Sequence, residues 1–515
     1  MAKKVKKRDP MKHGMPTRTI FAVAVILIQI ALLVALVYIA STRALWIYAL
    51  LWLASVVAVA IVVNRRGNPS FKIAWVIFIM LAPFCGGLMF LLWGGGKTTS
   101  KMKKRWNAIS SKIGKLLIQE ERVTEKLKYE DLTHSTQSAY LYSESGFPAY
   151  DGTHTTYYPS GEEFFNSVVD ELERAERYVF IEFFILAEGK LWNRIYKILR
   201  RKIEQGVEVR IIYDDFGSLR RQREDFCEYL ESNGFAVSVF NPIRPSVDMF
   251  LNNRNHRKII VIDGKVSFTG GLNIGDEYVN VVERFGHWCD TGVRLTGKAT
   301  KSFVAMFCTM WNTVNNDDLI DPRRYFCDMP IPCTGFVQPY SDGPLTKNNP
   351  AEGLYMKMIN SAQRYIYITS PYLILDSTMI KQLSLAAKAG VDVRIITPKK
   401  WDKWYVHPVT QYYYEELLEN GVRIYEYTPG FIHAKLFVSD DAVATVGTIN
   451  MDYRSFYFHF ECGVWMCGNE SVIDVRDHIN GLFGMSEEIK LERWKRRPTG
   501  LKLKQAFLHL FAPFM

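Results

Sequence analysis

The chain has 515 residues, 48% of them hydrophobic and 23% charged, with a formal net charge of +11. That length leaves room for two catalytic units and a further module, and that apolar content excludes a disordered chain. The eight cysteines include no Cys-x-x-Cys pair, which excludes a readable zinc or disulfide framework and suits a reducing cytoplasm.

In chain order, residues 1–19 carry Lys3, Lys4, Lys6, Lys7, Arg8, Lys12 and Arg18 and read as a basic cytoplasmic tail. Two apolar runs follow in 20–63: Ile20–Ala40, 21 residues interrupted by Gln29, and Ala44–Val63, 20 residues without a charge. Each is long enough to cross a bilayer. Only Arg43 separates them while bases flank the outer ends, so they predict a transmembrane hairpin. A third apolar run, Ile73–Trp93 within 64–96, holds Pro83, Gly86 and Gly87 near its middle. Lys97, Lys101, Lys103, Lys104 and Arg105 come next, so this run predicts a dip returning to the cytoplasmic face. Residues 97–150 read as a polar linker, basic first and helical at Glu120–Tyr129.

Segments 151–330 and 331–485 then repeat one order. The first reads helix Glu162–Arg177, strand Tyr178–Leu186, helix Leu191–Gly206, strand Val207–Tyr213, helix Arg223–Gly234 and strand Ala236–Phe240. The second reads Glu352–Arg364, Tyr365–Ser370, Thr378–Gly390, Val391–Thr397, Gln411–Gly421 and Val422–Tyr427. This alternation predicts an α/β fold with largely parallel sheets covered by helices. In the tail, 486–515, Leu503, Phe507, Leu510 and Phe514 recur at three- and four-residue steps beside lysines, the pattern of an amphipathic helix lying among lipid headgroups.

Each half carries one copy of a single pattern: His256-x-Lys258-x4-Asp263 and His433-x-Lys435-x4-Asp440. Fourteen positions after each histidine stands a glycine (Gly270, Gly447), and seventeen after each an asparagine (Asn273, Asn450). Two copies bring paired histidines, lysines and asparagines to one symmetric pocket, a set suited to attack on a phosphodiester. Imidazole titrates near neutral pH, so one histidine can attack phosphorus while the other gives a proton to the leaving oxygen. Lysines and asparagine amides can hold the non-bridging oxygens. Asp263 and Asp440 close strand-turns, where Asp is a common turn former, and read as structural rather than catalytic. No metal-ligand cluster and no glycine-rich phosphate loop is legible, so neither metal nor cofactor is expected.

The phrases "NRNHRKIIVIDGKVSFTGGLNIGDEY", "SPY" at 370–372, "GVRIYEYTPGFIHAKLFVSDD" and "VGTINMDYRSF" resemble the phospholipase D superfamily, most closely bacterial cardiolipin synthases, over nearly the whole chain. The resemblance implies two α/β/α sandwich halves related by a pseudo-twofold axis, sharing one active site, beside an N-terminal helical membrane module. It implies that Asp290 and Glu461 orient the histidines, with His256 as nucleophile and His433 as acid and then base, although the pseudo-symmetry allows the reverse. It further implies a cell-membrane phosphatidyltransferase that joins two molecules of the anionic phosphatidylglycerol into cardiolipin and glycerol, with no nucleic-acid partner. A hydrolase, or a transferase to another alcohol, stays open; in another class, so does a lipid-binding scaffold. Where this family usually reads Asn-Phe-Glu, the chain has His459-Phe460-Glu461.

Overall fold

The computed structural model describes residues 100–243, 253–346 and 348–515, the stretches 45–65 and 67–82, and positions 30, 31, 34, 35, 38, 86, 87, 89 and 90. Most of the first apolar run and Pro83 thus lie outside the described residues.

The helix–strand alternation builds two sheets of like order. The first runs Thr153–Tyr158, Gly292–Gly297, Val266–Gly270, Lys258–Ile262, Tyr178–Phe183, Glu208–Asp214, Ala236–Phe240. In the second the order is Phe336–Asp342, His459–Cys467, Val443–Gly447, Leu436–Ser439, Tyr365–Thr369, Asp392–Pro398, Arg423–Tyr427, closed by Ser486–Ile489. The expectation of largely parallel sheets is corrected. In the first sheet only Tyr178–Phe183 with Glu208–Asp214, and Glu208–Asp214 with Ala236–Phe240, pair in parallel; the other four pairings are antiparallel. Helices Lys190–Glu204 and Phe226–Ser232 supply the crossovers among those three strands. After each histidine the chain instead turns at once and returns as a hairpin, which antiparallel strands allow within a few residues. Tyr178–Phe183 is buried at every position, as expected for a central strand covered on both faces.

The repeated glycines belong to these hairpins. A Cβ at Gly270 would lie 2.3 Å from the carbonyl oxygen of Thr291, and one at Gly447 would lie 2.6 Å from that of Cys462. Helix Thr300–Val314, with 13 of 15 residues buried, follows the last strand of the first half, and Glu470–Gly484 follows its counterpart. Both contribute to one core whose strand residues come from the two sheets, Phe180, Val261 and Val293 with Val438, Val446 and Val464. The linker is more structured than its polar composition predicts. Helix Ser100–Gly114 sends Trp106 and Ile113 into that shared core, while Glu121–Glu130 and Leu132–Ser145 send Val123, Leu127 and Leu141 into the core of the second half.

Toward the N-terminus, Leu45–Asn64 is a 20-residue helix without a charged residue. Its described side chains begin at 49 and omit 51, and among the described residues no helix is long and apolar enough to cross a membrane. Helix Pro69–Leu81 starts at Asn68, whose side chain accepts from Ser70 N–H. It docks on the second half through Phe71, whose ring lies 5.4 Å from Tyr453 and from Tyr457. Beyond Leu81 the chain doubles back. A Cβ at Gly86 would fall 2.6 Å from Ile79 Cα, and Phe90 lies 5.5 Å from Trp75 and 5.2 Å from the Arg65 guanidinium.

Candidate active site

Two short strands cross between the halves and set the histidines. Arg254–Asn255 pairs in parallel with His459–Phe460 of the second half, and Gly430–Ile432 with His287–Cys289 of the first. Directly after these strands, His256 N–H donates to the Phe460 carbonyl at 2.9 Å, and His433 N–H to that of Cys289 at 2.7 Å. Each histidine therefore meets the carboxylate of the opposite half. His256 Nδ1 lies 2.9 and 3.0 Å from the Glu461 oxygens, and His433 Nδ1 lies 2.6 Å from Asp290 Oδ2. With the carboxylates ionised, Nδ1 carries the proton and each Nε2 keeps a lone pair.

Glu461 also accepts from the hydroxyls of Ser455, at 2.8 Å, and Thr448. Asp290 accepts from Thr291 N–H at 2.9 Å. Lys258 Nζ donates to the His256 carbonyl at 2.6 Å, and Lys435 Nζ to the His433 carbonyl. Burial pushes Lys258 down to about 7 and Lys435 to about 8. His256 is held well below the usual imidazole range by burial and then by Lys258, Lys435 and His433, all close enough for their charges to act on it. His433 is lowered to about 4 by burial and Lys435, against the opposing pull of Asp290. The four motif bases thus share one water-poor pocket, and burial there pulls each below its ordinary value despite the two carboxylates.

The other expected site residues divide. Asp263 sits past the far end of Lys258–Ile262 and accepts backbone N–H groups from Glu176, Arg177 and Tyr178; Asp440 does the same for Gln363, Arg364 and Tyr365. Both carboxylates are used by the scaffold. Asn273 accepts from Ile185 N–H at 3.0 Å and donates to the Tyr278 hydroxyl at 2.7 Å, so its amide oxygen is engaged by the scaffold and one amide N–H by Tyr278. Asn450 Oδ1 is buried and has no hydrogen-bond partner among the described residues. Residues outside the motif complete the walls. Tyr278, Trp288 and Phe431 surround His433, while Phe184 and His459 stand beside His256.

Among the described residues two groups bring donor atoms within 4.8 Å of one another, enough to consider a cation: Asp131, His134 and Cys467, and His256, His459 and Glu461. Sequence spacing reveals neither, because one donor of each group, Cys467 or His256, comes from a distant element. At the second, Lys258 and Arg454 oppose a cation by charge, Arg454 Nε being 3.4 Å from His459 Nε2.

Crossed imidazole–carboxylate pairs on a duplicated α/β scaffold bring the two motif histidines into one site. The family described as "Cardiolipin synthase, PLD-like domain" matches residues 168–307 and 355–483. An uncharacterized protein of Streptococcus mutans is 39% identical over 89% of this chain and 99% of its own. A cardiolipin synthase of Geobacillus kaustophilus is 33% identical over 95% of this chain and 99% of its own. The solved phosphatidylserine synthase of Haemophilus influenzae shares the fold, with TM-score 0.58 at 14% identity, covering 74% of this chain and 99% of that one. The chain belongs to the cardiolipin synthase family of phospholipase D-like proteins.

Proposed function

We propose that this protein is a membrane-bound phosphatidyltransferase that makes cardiolipin and glycerol from two molecules of phosphatidylglycerol. The carrying observation is the crossed pair of buried imidazole–carboxylate contacts, His256–Glu461 and His433–Asp290, flanked by Lys258 and Lys435. Neutral His256 has the lone pair a nucleophile needs, and Glu461 on Nδ1 stabilises the cation that forms on attack. An incoming phosphodiester brings further negative charge, which favours protons on the lysines and on His433. His256 Nε2 then bonds to phosphorus, the bond to glycerol oxygen breaks, and His433 delivers its proton to that oxygen. In the second step an acceptor hydroxyl gives its proton to His433 and displaces the histidine. One phosphodiester replaces another, so the reaction needs no external energy source.

The membrane supplies both lipids, and several features support attachment to it. Leu50, Trp52, Leu53 and Val57 of helix Leu45–Asn64 are each more than half exposed. Leu503 and Phe507 of helix Thr499–His509 are 67% and 61% exposed beside lysines, as an in-plane amphipathic helix requires. The return of the chain between Leu81 and Phe90 supports a re-entrant third segment, with both catalytic halves in the cytoplasm. Impermeant thiol labelling of cells carrying single introduced cysteines tests this: a site near Thr42 should react and one near Lys101 should not. Lipid product analysis of the purified protein given phosphatidylglycerol alone tests the activity. Phosphatidic acid as the main product would replace transfer with hydrolysis.

A further inference from the structure

A cavity of about 340 Å3 lies among the helices Ser100–Gly114 and Thr300–Val314, the end of Leu132–Ser145 and the residues at 341–346. None of the six motif residues lines it, and its size falls in the range of about 300–1,000 Å3 typical of small-ligand pockets. Trp106, Ile113, Leu117, Phe147, Met306 and Leu345 give it apolar walls. Glu144 at its edge is partly exposed and engaged by Asn348.

One cation reaches this cavity: Arg257, only 1% exposed. Its Nε donates to the Glu461 backbone carbonyl at 3.3 Å, and Nη2 donates to the Ser341 hydroxyl. Its guanidinium lies 5.8 Å from the Trp106 ring and 5.7 Å from that of Phe460. Nη1 has no hydrogen-bond partner among the described residues; the carboxylate nearest to it is Glu182, whose Oε1 lies 3.8 Å from Nη1, beyond hydrogen-bond reach, and accepts from Asn255 instead. Burial raises Glu182 to about 7, so it offers a partial charge at best. A buried guanidinium with no more than a partial countercharge is costly until a full anion meets it.

We propose that this cavity binds a single-chain amphiphilic anion, a carboxylate or a phosphate monoester, with its head on Arg257 and its chain along the Trp106–Leu117 wall. The site is separate from the substrate pocket and does not depend on the transferase reading. Arg257 follows His256 in the chain and holds the backbone of Glu461, so the occupant bears on the residues that orient the first histidine. It would act as an effector.

The test is saturation-transfer NMR on the full chain in phosphatidylcholine nanodiscs, corrected for empty nanodiscs. Hexanoate and hexyl phosphate are the anionic probes, and hexanol is the uncharged control. At least one anion should bind about tenfold more tightly than hexanol, the scale of one charge-assisted hydrogen bond. Hexanoate alone would assign a fatty-acid type of occupant, and hexyl phosphate alone a lysophosphatidate type. Arg257→Gln should erase the preference over hexanol. Thr309→Phe fills the cavity from the Thr300–Val314 wall without touching Arg257 and should remove binding of every probe, which decides the matter even if the arginine variant misfolds. Equal affinity for hexanol, or undiminished anion binding by Thr309→Phe, overturns the inference.

Discussion

The two halves are near copies in backbone and motif, yet their histidines keep different company. His433 is boxed by the rings of Trp288, Tyr278 and Phe431 at 5.3, 5.8 and 6.0 Å. His256 has Phe184 at 5.0 Å and the imidazole of His459 at 5.4 Å, with Arg454 against His459. One divergence lies two residues before each asparagine, Gly271 against Thr448, and another five residues beyond. In the first half this latter position is Tyr278, tied to Asn273; in the second it is Ser455, which donates to Glu461. Glu461 is consequently pinned by two hydroxyls besides His256, whereas Asp290 has His433 and one backbone N–H. A firmly held carboxylate suits an imidazole that stays covalently loaded, and a freer one suits an imidazole that exchanges protons. Duplication supplies the geometry, and positions outside the motif give the two histidines different surroundings, which the proposed roles would use.

The harshest test of that division removes the imidazoles. His256→Ala should cut turnover by at least about 10³-fold and leave no phosphatidyl adduct. His433→Ala should stop turnover as severely while still trapping an adduct from a donor with a good leaving group. Mass spectrometry of the trapped protein reads the result, and an adduct on His433 would exchange the roles. The crossed contacts sharpen this. Asp290→Asn, although in the first half, should reproduce the defect of His433→Ala at about 10²- to 10⁴-fold, and Glu461→Gln that of His256→Ala. If each carboxylate variant instead matched the histidine of its own half, the crossing would have no functional meaning.

Smaller effects separate scaffold from chemistry. Asp263→Ala and Asp440→Ala should each lower stability by about 1–3 kcal/mol in thermal unfolding, with activity per folded molecule kept within about twofold. Asp263, 3% exposed, should cost more than the partly exposed Asp440. The mildest expectation concerns pH. Lys258 near 7 and Lys435 near 8 stand below the usual lysine value of 10.5, so sulfate affinity should fall as pH rises through 7 to 8. In the same anion-free protein the folded state binds fewer protons than the unfolded chain between about 7 and 10.5, so this pair makes stability rise with pH across that window. A flat sulfate titration would mean that the lysines keep ordinary values.

Much of this architecture was legible in the residues. The repeated motif located both histidines, and the strand expected from Tyr178 and the one at Ala236–Phe240 begin where the structure starts them. What escaped depends on distance along the chain. The contact between His256 and Glu461 spans 205 positions and arises from a two-residue strand that no periodicity marks. The antiparallel hairpins were hidden because each follows its histidine with a turn of a few residues. The linker helix expected at Glu120–Tyr129 stands at Glu121–Glu130, but polar composition concealed Ser100–Gly114 and Leu132–Ser145, since each buries only a few apolar side chains. His459 was visible as a departure from the family pattern, but its place beside His256 was not.

The exchange of carboxylates between halves also works as a safeguard. A chain with one half folded, or with the interface ajar, has two histidines without their partners and two carboxylates with nothing to orient. On the proposed mechanism, competence to break a phospholipid bond therefore requires both halves docked, and a nascent or damaged copy with its halves apart is chemically silent.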